Sequence, residues 1–85
     1  MTRRVEYSRD AIKTLARIDR KTGRRIREKL DQLAREPEAL ANNITVLKGQ
    51  PDLMRLRVGD WRVIYTERLV VLLVLRIAPR GSSYD

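Results

Sequence analysis

Arg55, Arg57 and Arg62 flank a Gly59-Asp60 pair, with Arg80 and Tyr84 further along, in a chain of 85 residues that contains neither histidine nor cysteine. These residue types define the chemistry on offer. A guanidinium stays protonated near neutral pH, and its planar fork holds phosphate oxygens in pairs and stacks on bases. A tyrosine can stack on a base or exchange a proton, while an arginine beside it can stabilise charge building on a phosphate. The lack of histidine removes the commonest metal ligand and the commonest neutral-pH general base. The lack of cysteine removes disulfides, thiolate nucleophiles and cysteine-based zinc sites. Any acid-base step falls to Arg, Lys, Tyr, Asp or Glu. Asp52 and Asp60 lie in turns with no acidic cluster at ligand spacing, which disfavours metal-dependent chemistry.

The spacing of the arginines carries more than their number. From Leu53 hydrophobicity alternates with period two, and Gly59-Asp60 has the composition of a two-residue hairpin turn. With the turn there, Val58 faces Trp61 and Arg57 faces Arg62. Met54, Leu56, Val58, Trp61, Val63 and Tyr65 then share one face, and Arg55, Arg57 and Arg62 share the other. Singly, an arginine on an exposed face is an ordinary solvated residue. Like charges directly opposite on paired strands are different, because they destabilise by a few tenths up to about 1 kcal/mol. A bound phosphate would relieve that repulsion. The inference depends on register, since a slip of one residue inverts the faces.

The elements that must position these residues are legible as well. Arg3 to Tyr7 reads as a strand, and Ser8 as the N-cap of a helix starting near Arg9, with Ile12, Leu15 and Ala16 at helical spacing. Asp19 to Gly23 breaks the pattern. A second helix from Arg24 carries Ile26, Leu30, Leu33 and Ala34 on one stripe and stops before Pro37. Glu38 to Asn43 is a connector, and Thr45 to Leu47 is too short to assign. Trp61 to Thr66 returns from the hairpin, and Leu69 to Ile77 is a more fully apolar strand ended by Pro79 and Gly81. The expected fold class is α+β: an N-terminal strand, a helical hairpin, then a three-stranded antiparallel meander, in one domain spanning 1–85.

Nineteen Lys and Arg oppose eleven Asp and Glu, a net charge of +8, which favours a polyanionic partner. Fifteen of the nineteen cations are arginine, the lysines being Lys13, Lys21, Lys29 and Lys48. A GC-rich genome would produce the same excess, so position has to decide. The helix exteriors, from Arg9 and Lys13 through Arg24 and Arg27 to Lys29, intersperse cations with Glu28 and Asp31. Such a run is ordinarily a solvated face, with some added attraction to nucleic acid. The first residues lack the apolar segment of a signal peptide, and the longest apolar run, Leu69 to Leu75, falls far short of the roughly 20 residues that cross a bilayer. A soluble cytoplasmic protein with no membrane partner is expected.

The run from Leu47 to Tyr65 resembles the RelE signature: a leucine-basic-glycine lead-in at Leu47-Lys48-Gly49, a basic alternating strand at Met54 to Val58, then Trp61-Arg62-Val63-Ile64-Tyr65. The start, with Tyr7-Ser8 and Ala11-Ile12-Lys13-Thr14-Leu15, and the ending from Arg80 to Tyr84 fit the same family, so the resemblance covers essentially the whole chain. It implies the toxin of a type II toxin–antitoxin pair, an endoribonuclease that cleaves mRNA in the ribosomal A site with no metal or other cofactor. Its implied partners are a RelB-like antitoxin with an acidic binding segment, the 70S ribosome and mRNA. The implied catalytic residues are Arg57, Arg62, Arg80 and Tyr84, with Arg55 and Lys48 as RNA-binding residues. Family members often carry Lys or Glu where this chain has Arg55 and Arg57, which leaves the general base open. A ParE-like inhibitor of DNA gyrase and a non-catalytic RNA-binding module are the alternatives on the same fold.

Overall fold

In the computed structural model, which describes residues 2–81, two helices cover one face of a five-stranded sheet. The elements run β1 (Arg4–Tyr7), α1 (Arg9–Arg17), α2 (Arg20–Arg35), a 3-10 helix (Pro37–Asn43), β2 (Ile44–Val46), β3 (Met54–Val58), β4 (Trp61–Glu67) and β5 (Val71–Pro79). The strand order is β1-β5-β4-β3-β2. The expected antiparallel meander is present as β3, β4 and β5, but it is part of a larger, mixed sheet. β1 joins it in parallel to β5, with Arg4 opposite Val71 and Tyr7 opposite Val74. β2, too short to assign from the sequence, adds an antiparallel edge through Thr45 opposite Arg55. Among the described residues no helix is long and apolar enough to cross a membrane.

The second helix starts four residues earlier than its pattern suggests. Asp19 is the N-cap, its carboxylate accepting from both the backbone N–H and the hydroxyl of Thr22 at 2.8 and 2.6 Å, which holds its pKa below the usual carboxylate range. Gly23, which reads as a breaker, is buried inside α2, where a Cβ would meet Ile18 and the Leu15 carbonyl at ordinary contact distance. The core is built where the apolar stripes meet the sheet: Ala11 and Leu15 from α1, Ile26, Leu30 and Leu33 from α2, and Leu56, Val58, Val63, Tyr65, Leu72, Val74 and Ile77 from the strands.

Ser8 joins three of these parts. Its hydroxyl accepts from the Ala11 N–H at 3.1 Å, capping α1, and donates to the Leu75 carbonyl at 2.6 Å. Its own N–H donates to the Val74 carbonyl at 2.8 Å, just where the β1–β5 pairing ends. Replacing Ser8 with Ala therefore removes a cap and leaves a carbonyl of β5 without its donor. We expect Ser8→Ala to lower unfolding stability by about 2 kcal/mol, read as a reduced urea midpoint at unchanged slope, with Ser8→Thr recovering most of it.

Candidate functional site

The β3–β4 hairpin adopts the register that the alternation demands: Val58 lies opposite Trp61, Arg57 opposite Arg62, Leu56 opposite Val63 and Arg55 opposite Ile64. Leu56, Val58, Val63 and Tyr65 enter the core, with Met54 and Trp61 packed at its margin. Arg55, Arg57 and Arg62 therefore emerge together on the face the helices leave open. They line a shallow depression of about 150 Å³ with Asn42, Asn43 and Thr45.

The turn that joins the strands also orients the cations. Gly59 has φ +59° and, among the described residues, no non-glycine has positive φ, so the left-handed position falls on the first turn residue, as in a type II′ hairpin. An Arg62 Nη1–H donates to the carbonyls of Gly59 and Trp61, both at 3.1 Å. The Arg80 N–H donates to the Asp60 carbonyl at 2.6 Å, which brings the backbone of Arg80 beside the same turn. The helical layer reaches it too, since a Cβ built on Gly59 would lie 3.0 Å from Nη1 of Arg25 in α2.

Of the residues singled out from the sequence, Arg55, Arg57, Arg62 and Arg80 converge on this end of the sheet. Lys48 does not join them. It is exposed in the β2–β3 loop, beyond the Met54 end of β3, whereas Arg57 is at the Val58 end. Tyr84 lies outside the described residues. Of the other tyrosines, Tyr65 is in the core and Tyr7 packs against it. Burial pushes both phenols above their ordinary pKa, with a further rise from Glu67 at Tyr65 and from Asp31 at Tyr7. Neither is a proton acceptor at neutral pH.

Asn42 and Asn43 lie in the segment that reads as a connector, and Thr45 in the one too short to assign. The 3-10 helix delivers the two asparagines to the rim, where the Asn43 amide donates to the Arg57 carbonyl at 3.4 Å. The one sequence signal is local: paired amides before a β-branched pair, next to a basic hairpin. What these groups assemble is a concave patch of guanidiniums edged by neutral donors and acceptors, suited to a phosphodiester with its sugar and base edges.

The family model for the ParE toxin of the type II toxin–antitoxin system parDE matches residues 5–84. Among curated proteins none matches. Among solved structures, the archaeal RelE–RelB complex from Pyrococcus horikoshii contains a chain 34% identical with TM-score 0.79, covering 98% of this chain and 100% of that one. A RelBE toxin–antitoxin complex from Mycobacterium tuberculosis gives 0.79 at 19% identity, covering 94% and 100%. A double-arginine mutant of the E. coli toxin RelE in the free state gives 0.78 at 21% identity, covering 98% and 88%. The chain belongs to the RelE/ParE superfamily, the toxins of type II toxin–antitoxin systems.

Gly59 offers a direct test of how the turn is held. In Gly59→Ala a Cβ meets both the left-handed backbone and the Arg25 guanidinium, and we expect a loss of about 2 kcal/mol by urea unfolding. Adding Arg25→Ala should return only the steric part, about 0.5 kcal/mol or more of coupling. Gly49, at φ +79° with nothing within 4 Å of its Cβ position, is the control. There Gly→Ala should show the backbone loss and no coupling to Arg25.

Proposed function

We propose that this toxin is a ribosome-dependent, metal-independent endoribonuclease that cleaves mRNA in the A site. The observation that carries the reading is the cross-strand pair Arg57–Arg62 on an open sheet face, with Arg80 hydrogen-bonded to the turn between them. A sheet selected for stability alone gains nothing from two guanidiniums in register. A site for an anion that gains charge during reaction does.

In the reaction a ribose 2′-hydroxyl attacks the adjacent phosphorus. The P–O2′ bond forms, the P–O5′ bond breaks, the O2′ proton leaves and O5′ takes one up. Arg57, Arg62 and Arg80 act on the dianionic phosphorane-like transition state, where charge is greatest. Arg55 grips the backbone beside it, Lys48 contacts RNA farther off, and Tyr84 stacks on a base or takes part in proton transfer. Because arginine holds its proton, the protein's share is mainly electrostatic and positional. The partner that silences the toxin is a RelB-like antitoxin with an acidic binding segment, a reading that charge complementarity to +8 supports. The match to the ParE model keeps one second reading in view, inhibition of DNA gyrase by protein binding.

Protein treated with EDTA and dialysed beforehand should still cut mRNA at the A site of programmed ribosomes kept in Mg2+, while the same RNA free in solution survives. Equal rates with and without ribosomes would exclude the reading. Unchanged mRNA 5′ ends after induction, alongside reduced gyrase supercoiling, would establish the second reading instead.

A division of labour among the arginines follows from the register. Arg57→Ala, Arg62→Ala and Arg80→Ala should each lower single-turnover cleavage at saturation by on the order of a hundredfold, about 2.7 kcal/mol. Arg24→Ala, on α2, should weaken ribosome association in a salt-dependent way and leave that cleavage step intact. Full cleavage by folded Arg57→Ala and Arg62→Ala would remove the active-site assignment.

A further inference from the structure

The open face carries another cation that the sequence pattern conceals. In β5, Leu72 and Val74 are in the core, and strict alternation would send Arg76 in after them. The pairing shows otherwise: Tyr65 lies opposite Val74 but Ile64 lies opposite Arg76, so Leu75 is an extra residue in β5. This bulge resets the phase. Ile77 returns to the core, and Arg76 is exposed on the face that holds Arg55, Arg57 and Arg62. Ser8, hydrogen-bonded to the carbonyls on both Val74 and Leu75, pins the chain at that point.

Register then defines two rows across the sheet. One contains Arg57, Arg62 and Ala78; the next contains Arg55, Ile64 and Arg76. Ile64 belongs to the open face yet is only 3% exposed, so this row is apolar at its centre and cationic at both ends. The rows are two residues apart along the strands, about 7 Å, comparable to one nucleotide step of an extended single strand. Bulges recur beside functional sites because they re-aim a side chain, and this one adds a guanidinium to a face already rich in them.

We propose that Arg76 is an RNA-binding residue that, with Arg55, grips the phosphate next to the scissile one, a row away from Arg57 and Arg62. The proposal rests on the reading of this face as the mRNA site. Its ligand is a phosphodiester of the RNA backbone, contacted equally in the ground and transition states.

The test uses ribosomes programmed with mRNA that carries a 2′-deoxy residue at the cleavage position, so that binding is measured without reaction. Wild type, Arg76→Ala and Arg76→Lys are compared on three messages: one with normal linkages, and two with a neutral methylphosphonate on either side of the scissile phosphate. Arg76→Ala should bind the normal message about tenfold more weakly, with a salt dependence smaller by about one charge, and Arg76→Lys should recover most of the loss. On one of the two neutral messages wild type and Arg76→Ala should bind alike. Wild-type affinity in Arg76→Ala, or the same loss on all three messages, overturns the proposal, since a purely structural role is blind to a neutral linkage. Binding with these signatures by a wild type that leaves all-ribose mRNA uncut would sink the nuclease reading and keep the Arg76 site.

Discussion

The left-handed backbone of Gly59 is the constraint on which the arginine face depends. A two-residue turn fixes the register of β3 against β4, and with it which side chains point toward the helices. One residue of slip would bury Arg57 and expose Val58. The same turn presents two carbonyls, one accepting the guanidinium of Arg62 and the other the N–H of Arg80, so the loop that aligns the strands also aims what they carry. Arg25 reaches it from the opposite layer.

Repulsion on the open face is tolerated because the other face of the same strands is strongly favourable. Burying a Val, Leu or Ile side chain contributes about 1.5–3 kcal/mol. Leu56, Val58 and Val63 lie within two positions of Arg57 and Arg62, and all three are buried. Against them a like-charge pair sets at most about 1 kcal/mol. The sheet thus holds together through one face and leaves the other to be shaped by charge. β5 extends the arrangement, because its bulge lets one strand fill the core with Val74 and Ile77 and still deliver Arg76 outward.

What was legible in the sequence was local. The period-two hairpin with Gly59-Asp60 specified Arg57 opposite Arg62, and Ser8 marked the start of α1 through its own capping chemistry. What escaped was decided by partners far along the chain. Ile44–Val46 is a strand only because β3 offers an edge, and β1 is parallel because β5 lies beside it. Gly23 reads as a break until the packing of α2 against α1 explains it. Leu75 looks like any apolar strand residue, so neither the bulge nor the placement of Arg76 could be read from alternation. Lys48, included through family resemblance, lies in the β2–β3 loop beyond the other end of β3.

The two edges of β5 differ in how far the chain must travel to make them. β4 reaches it through a turn closed by Arg68 and Val71, whereas Ser8 and Leu75 are 67 residues apart. The entropy of closing a loop rises with its length, and pairings between distant segments form late. The β3–β4–β5 meander, with its arginines, can form from neighbouring residues, while the docking of β1 completes the sheet. Ser8 makes that closure, so a contact spanning most of the chain ends at the very bulge that turns Arg76 outward.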